Sequence, residues 1–238
     1  MKKIIALIMA ALMIVSLCAC GGDTADKTDS NNPSGSNSGV SEDKDKDKGS
    51  SKDTLSLNDV MKAKETKVSL FEYTEVDGGI AITGYTGSDE IVVLPEKIDS
   101  QNVVSINEFA FTNNETVKGV RISAKVEVIG MYAFSNCTEL EVFVSGDSVK
   151  VLDKYSFNNC PKLHTVKLND GLETLNDFCF GLTTLTELEI PSSVTEITMA
   201  FTRIDTSQYT TIIAESGSAA EQYVKEYGSV SNLIFQAK

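Results

Sequence analysis

A 23-residue period governs this chain. Val103-Val-Ser-Ile106 followed by Phe109-Ala-Phe111 returns as Val126-Glu-Val-Ile129 with Tyr132-Ala-Phe134 and as Val149-Lys-Val-Leu152 with Tyr155-Ser-Phe157. A fourth copy reads Leu172-Glu-Thr-Leu175 with Phe178-Cys-Phe180, and a fifth, Val194-Thr-Glu-Ile197 with Ala200-Phe201, starts one residue early. That early start points to a single-residue loss in the fourth copy, at Gly181–Leu182. One such unit offers only about six inward apolar side chains, each worth roughly 1.5–3 kcal/mol when buried. Ordering its backbone costs about 1–2 kcal/mol per residue, so a single unit cannot fold alone. Stacked units share a core, and this period therefore demands a solenoid.

Each unit has a second half: Val117-Lys-Gly-Val120-Arg-Ile122, Leu140-Glu-Val-Phe143-Val-Ser145, Leu163-His-Thr-Val166-Lys-Leu168 and Leu185-Thr-Glu-Leu188-Glu-Ile190. Their in–out–in alternation predicts short strands with one buried face. Ile91-Val-Val-Leu94-Pro95 reads as the same strand from a preceding partial coil, and Thr211-Ile-Ile213 as the one that follows. Parallel stacking at about 4.8 Å would bring like residues into ladders. The expected ladders are Ile106/Ile129/Leu152/Leu175/Ile197, Phe111/Phe134/Phe157/Phe180 and the small column Ala110/Ala133/Ser156/Cys179. The expected fold is a repeat solenoid, mainly β with short helical or 3-10 turns. Asp77-Gly78-Gly79 between Phe71-Glu-Tyr73 and Ile80-Ala-Ile82 signals a hairpin, read as an N-terminal cap. Leu55–Lys64 reads as a short helix.

The pattern Val-x-x-Ile-x-x-(aromatic)-Ala-Phe-x-x-Cys-x-x-Leu-x-x-Val-x-(Leu/Ile)-Pro resembles the BspA-like leucine-rich repeats of bacterial surface proteins. The resemblance covers roughly residues 80–230 and implies a right-handed leucine-rich-repeat stack. Gly217-Ser-Ala-Ala-Glu221-Gln-Tyr223-Val-Lys-Glu-Tyr227 is similar to that family's closing element, a turn leading into a capping helix. Pro follows the strand only at Pro95 and Pro191, and Ser145 interrupts the inward column. The expected organisation is 54–90 as N-terminal cap, 91–213 as about five repeat units and 214–238 as C-terminal cap. The family also implies adhesion-type binding of proteins.

Residues 1–19 read as an export signal. Lys2 and Lys3 precede a 14-residue apolar run from Ile4 to Leu17, short of the roughly 20 residues a spanning helix needs. Leu17-Cys18-Ala19-Cys20 resembles the lipobox of bacterial lipoproteins, which implies cleavage before Cys20 and lipidation of its thiol. The expected location is extracytoplasmic, lipid-anchored to the outer face of the bacterial cell membrane, since two or more acyl chains anchor stably. Residues 20–53 then form the lipidated cysteine and a tether. Between Gly21 and Asp53 only Ala25 and Val40 are apolar, too few to offset ordering entropy. A flexible chain of this length spans on average about 30–35 Å.

Function classes narrow quickly. A net charge of −13 argues against wrapping a nucleic-acid backbone. His164, the single histidine, shares a column with Lys118, Glu141 and Thr186, which reads as a solvated surface position. Nucleophile-elbow, phosphate-loop and zinc-protease motifs are absent from the sequence, and no catalytic residue, cofactor or metal site is expected. Asn158-Asn159 and Asn113-Asn114 read as turn residues. The sequons Asn114-Glu-Thr116 and Asn136-Cys-Thr138 read as chance matches. Cys137 and Cys160 fall in one column a repeat apart, as a disulfide or as two buried thiols. Two outward columns remain on the second-half strands: Gly119/Val142/Thr165/Glu187 and Arg121/Val144/Lys167/Glu189. Solenoid surfaces of this kind bind macromolecules, so these eight residues form the candidate contact face of a monomeric module. The expected partner is a protein or a cell-envelope or host glycan. The competing expectation is a structural or envelope-assembly lipoprotein with no dedicated host ligand.

Overall fold

The computed structural model describes residues 54–122, 125–202 and 208–238. The signal sequence, Cys20 and the tether lie outside the described residues. A short helix, α1 (Leu57–Lys62), precedes the hairpin β1 (Phe71–Val76) and β2 (Gly79–Tyr85). Three strands lead into the repeats: β3 (Ile91–Val93), β4 (Lys97–Ile98) and β5 (Gln101–Ile106). The second-half strands are then β6 (Gly119–Arg121), β8 (Val142–Val144), β10 (Thr165–Lys167) and β12 (Glu187–Glu189). Between them run β7 (Val128–Ile129), β9 (Val151–Leu152), β11 (Thr174–Leu175) and β13 (Glu196–Ile197). The chain finishes with β14 (Thr210–Ala214), α2 (Ala219–Ser231) and β15 (Leu233–Ala237).

These elements build a mainly-β solenoid. One sheet follows the order β1-β2-β5-β7-β9-β11-β13, with β4 antiparallel to β5 at its side. From β2 onward its main path is parallel, and Ile106, Ile129, Leu152, Leu175 and Ile197 stand in register. The second-half strands form a parallel sheet in the order β10-β8-β6-β3, and β12-β14-β15 form a third. The hairpin forms where the Asp77-Gly78 turn predicts it, with Gly78 at φ +87°. β15 lies outside the repeat pattern; Leu233–Ala237 adds a parallel strand to β14 after the closing helix. Asn232, at φ +53°, ends that helix and reverses the chain into it.

The phenylalanine ladder is the core's spine. Ring centroids from Phe111 through Phe134, Phe157 and Phe180 to Phe201 are 4.7, 5.2, 5.7 and 5.7 Å apart. Tyrosines finish both ends, Tyr85 on Phe111 at 5.5 Å and Tyr223 on Phe201 at 6.0 Å. Burial pushes the Tyr85 phenol up to about 12. In the Val142-Phe143-Val144 rung, Phe143 packs inward, its ring centroid 4.5 Å from that of Phe157.

The turns explain a second, outer ladder. Alternate N–H groups do different jobs: those of Phe109, Phe111 and Asn113 donate to the next coil, at Met131, Ala133 and Ser135. Those of Ala110, Thr112 and Asn114 close local turns to the carbonyls of Asn107, Phe109 and Phe111. This geometry requires positive φ at Phe109, Tyr132, Tyr155 and Phe178, and again at Asn113, Asn136, Asn159 and Leu182. A left-handed conformation costs a bulky residue about 1–2 kcal/mol. Face-to-face stacking of the four aromatics, at 5.1, 4.7 and 5.1 Å, offsets it. The asparagines tolerate the conformation and join their amides, Asn159 to Asn136 at 2.7 Å and Asn136 to Asn113 at 2.9 Å. Ion pairs one repeat apart, Lys150–Glu127 and Lys162–Glu139, lie outside the ladders and contribute little.

The structure moves the missing residue. Leu182 has φ +56° and donates its N–H to the next coil at Thr202, matching Asn159, so the register is intact through position 182. The loss falls between Thr183 and Leu185, where earlier coils have Cys137-Thr138-Glu139-Leu140 and Cys160-Pro161-Lys162-Leu163.

Candidate functional site

The two outward columns were expected to form one solvent-open face. They do so only in part. Gly119, Val142 and Val144 are buried, with Val142 at 0 % exposure, because α1 lies across them. Val60, Val142 and Val144 form a small apolar cluster with Leu55, Leu57 and Ile91, separate from the main core. Gly119 is the notch for the helix: a Cβ there would come within 2.6 Å of both Leu55 and Val60 side-chain atoms. A six-residue helix is far too short to persist alone, so docking on this sheet holds it folded. A capping box, in which Ser56 and Asp59 bond each other's backbone N–H, defines its start.

Polar contacts fasten both ends of α1. The Leu55 N–H donates to Glu141 Oε2 at 2.6 Å, and Arg121 Nη2 donates to the Ala63 carbonyl at 2.8 Å. Thr66 then pairs with Val93, its N–H and hydroxyl replacing a neighbouring strand. These contacts correct the solvated reading of one member of the His164 column, while Lys118 and His164 are half-buried and Thr186 is exposed. Glu141 is buried at 5 % exposure, and His164 Nε2 stands 3.6 Å from its Oε2 while Nδ1 contacts Thr165 Oγ1.

Two clues to the covering helix were present in the sequence. Glycine inside a strand marks a close approach of other atoms, and Gly119 is one. The unbroken run Val142-Phe143-Val144 signals burial on both faces.

The C-terminal half of the face remains open. Thr165 is half-buried, and Lys167, Glu187 and Glu189 are exposed. A groove of about 760 Å³ lies beside them, with Leu57, His164, Asn169 and Pro191 among its walls. A smaller groove of about 360 Å³ lies on the other side of Lys167, beside Arg121 and Val144. Asn169 ties down the loop between the two, bonding Ser145 Oγ and the carbonyls of Asp147 and Val149. Glu189 carries an ion pair from Lys238.

The buried thiols have structural work. Cys137 and Cys160 donate to the Phe111 and Phe134 carbonyls, and Cys179 is likewise free and buried. Burial pushes the Cys137 thiol up to about 12 and raises Cys160 and Cys179 as well, which suppresses thiolate reactivity. Among the described residues there is no metal-competent cluster of His, Cys, Asp and Glu side chains. Among them, too, no helix is long and apolar enough to cross a membrane.

Stacked parallel coils with aromatic and asparagine ladders define a leucine-rich-repeat solenoid. Residues 94–206 match the BspA type Leucine rich repeat region in six copies, where spacing alone indicates about five. A crystallised leucine-rich-repeat protein of T. pallidum is similar at 28% identity and a TM-score of 0.59, over 63% of this chain and 71% of that one. One from Bacteroides ovatus is similar at 26% identity and a TM-score of 0.54, over 63% of this chain but only 41% of its own length. The pneumococcal vaccine antigen PcpA shares the fold at 15% identity and a TM-score of 0.50, over 69% of this chain and 47% of that one. No curated protein matches the chain.

Proposed function

We propose that this chain is a bacterial surface lipoprotein, anchored through Cys20, whose repeat domain binds protein through the open half of its outer sheet face. The repeat region is an interaction module by family, and a pneumococcal vaccine antigen shares its fold. The observation that carries the reading is the asymmetry of one face. The chain's own helix seals Gly119, Val142 and Val144, whereas Thr165, Lys167, Glu187 and Glu189 stay accessible beside a groove. Such a surface, with both charge signs and a partly apolar floor, suits a polar protein interface with a small dry centre. No catalytic role is assigned to any residue.

Two measurements test this. Labelled palmitate should enter the wild-type protein and not Cys20→Ala; equal labelling removes the anchor. A partner captured from envelope extracts by the wild-type domain should be lost when Thr165, Lys167, Glu187 and Glu189 are replaced together by Ala or Ser. Undiminished capture by that folded variant removes the face.

A further inference from the structure

We propose that the split between β10 and β12 is a binding groove for an extended, lysine- or arginine-rich peptide segment. The proposal rests on the protein-binding reading of the outer face and narrows it to a site and a partner chemistry.

The second-half strands obey a simple bonding rule until that point. Just past each strand, an N–H donates to the next coil: Leu94 to Arg121, Ile122 to Val144 and Ser145 to Lys167. The rule then calls for Leu168 to donate to Glu189, and that bond is missing among the described residues. It resumes with Ile190 donating to Ile213. Just before each strand the pattern repeats, with Thr165 bonded to Glu141 and Thr211 to Thr186, while Glu187 makes no matching bond to His164. No ladder joins β10 to β12, and the two strands belong to different sheets.

The cause is the residue missing between Thr183 and Leu185. It shortens the approach to β12 by one position, so this strand cannot reach hydrogen-bonding register with β10. The groove of about 760 Å³ opens along the break. Its floor is core that should have closed. Val166 is partly exposed, whereas its counterparts Val120, Phe143 and Leu188 are at most 1 % exposed, and Leu168 beside it is partly exposed as well.

Three features define the occupant. Unpaired N–H and C=O groups along two strand edges favour a main chain in extended form, the principle of strand addition. Period-2 alternation would then point one row of its side chains at Val166 and Leu168 and the other at the rim. That rim is acidic: Glu187, Asp170 and Asp147 line it and hold no ion pair among the described residues, against a single Lys167. The rim already accepts one ammonium group, since Lys238 Nζ lies 2.5 Å from Glu189 Oε1.

Fluorescence anisotropy with the full chain tests the groove, using a labelled peptide of alternating Lys and Val as probe. An alternating Glu and Val peptide and a neutral wall-type oligosaccharide serve as competitors in class. The Lys–Val peptide should bind and weaken with added salt. It should lose about tenfold in affinity when Asp170→Asn and Glu187→Gln are combined, from two exposed charge pairs. A second variant inserts one Lys between Thr184 and Leu185, restoring the spacing of the regular coils. It should keep every acidic residue, close the ladder and abolish binding, with circular dichroism verifying its fold. If the insertion variant does not fold, the charge variant decides. Equal binding of the Glu–Val peptide, preference for the oligosaccharide, no binding at all, or indifference to both variants overturns the proposal. If the peptide fails while an envelope partner still depends on Lys167 and Glu189, the groove falls and the wider reading of the face stands.

Discussion

Two halves of one sheet surface, built from the same repeat, meet opposite fates in this protein. On the N-terminal side, β3, β6 and β8 carry Ile91, Gly119, Val142 and Val144 under α1. On the C-terminal side, β10 and β12 carry Thr165, Lys167, Glu187 and Glu189 beside a groove. The inward residues barely distinguish the halves, because both obey the same ladder. The difference arises from outward residues and from one missing position. A solenoid fixes its interior by repetition and leaves its exterior to local chemistry.

The largest test asks whether the halves share a core. Phe157 stacks between Phe134 and Phe180 and touches Phe143, so Phe157→Ala should cost about 3–5 kcal/mol. Denaturant unfolding should show one transition moved to lower midpoint. Two separate transitions would mean that the halves fold independently.

Gly119→Val separates the halves. The added side chain meets Leu55 and Val60, and overpacking at this contact should cost about 1–3 kcal/mol. Hydrogen exchange should rise at Val60 and Ala63 while the β10 amides stay protected. Thr165→Val, in the same column on the open side, should change stability by no more than about 0.5 kcal/mol.

Leu182 offers a smaller and opposite effect. Among the described residues it is the one aliphatic residue in a left-handed column otherwise filled by asparagine. Leu182→Asn should raise stability by about 1 kcal/mol, by relieving the backbone and extending the amide ladder from Asn159. A lowered thermal midpoint would show that the Leu182 side chain contributes more by packing than its backbone loses.

The smallest effect concerns pH at the closing helix. The Glu221 carboxyl is held below the usual range first by Lys225 and then by the Gly217 N–H. A carboxyl depressed on folding contributes stability above its unfolded value of about 4.3 and loses it as pH falls through the folded value. Glu221→Gln should therefore lower the thermal midpoint slightly at neutral pH. The two proteins should converge in acid, and a constant gap across the titration would contradict this role.

Legibility in the sequence follows the same division as the face. The Ile106-to-Ile197 ladder, the phenylalanine column and the Asp77-Gly78 hairpin were readable because each rests on a local period or turn chemistry. The covering of Val142 was not read, since the helix that covers it comes from more than 80 residues earlier in the chain. Gly119 belongs to an outward column by alternation, although a strand glycine is itself a mark of close approach. Spacing shows that a residue is missing from the fourth copy, and the φ of Leu182 shows that the loss lies beyond position 182.

Sequence alone determined that coils of about 23 residues must stack, because no coil carries enough apolar surface to stand by itself. It also determined which side chains point inward, since strand alternation is a local property. Tertiary structure alone decided which outward residues meet solvent. That outcome depends on where a distant helix docks and on whether neighbouring strands reach bonding register, and both are set by contacts between residues far apart in the chain.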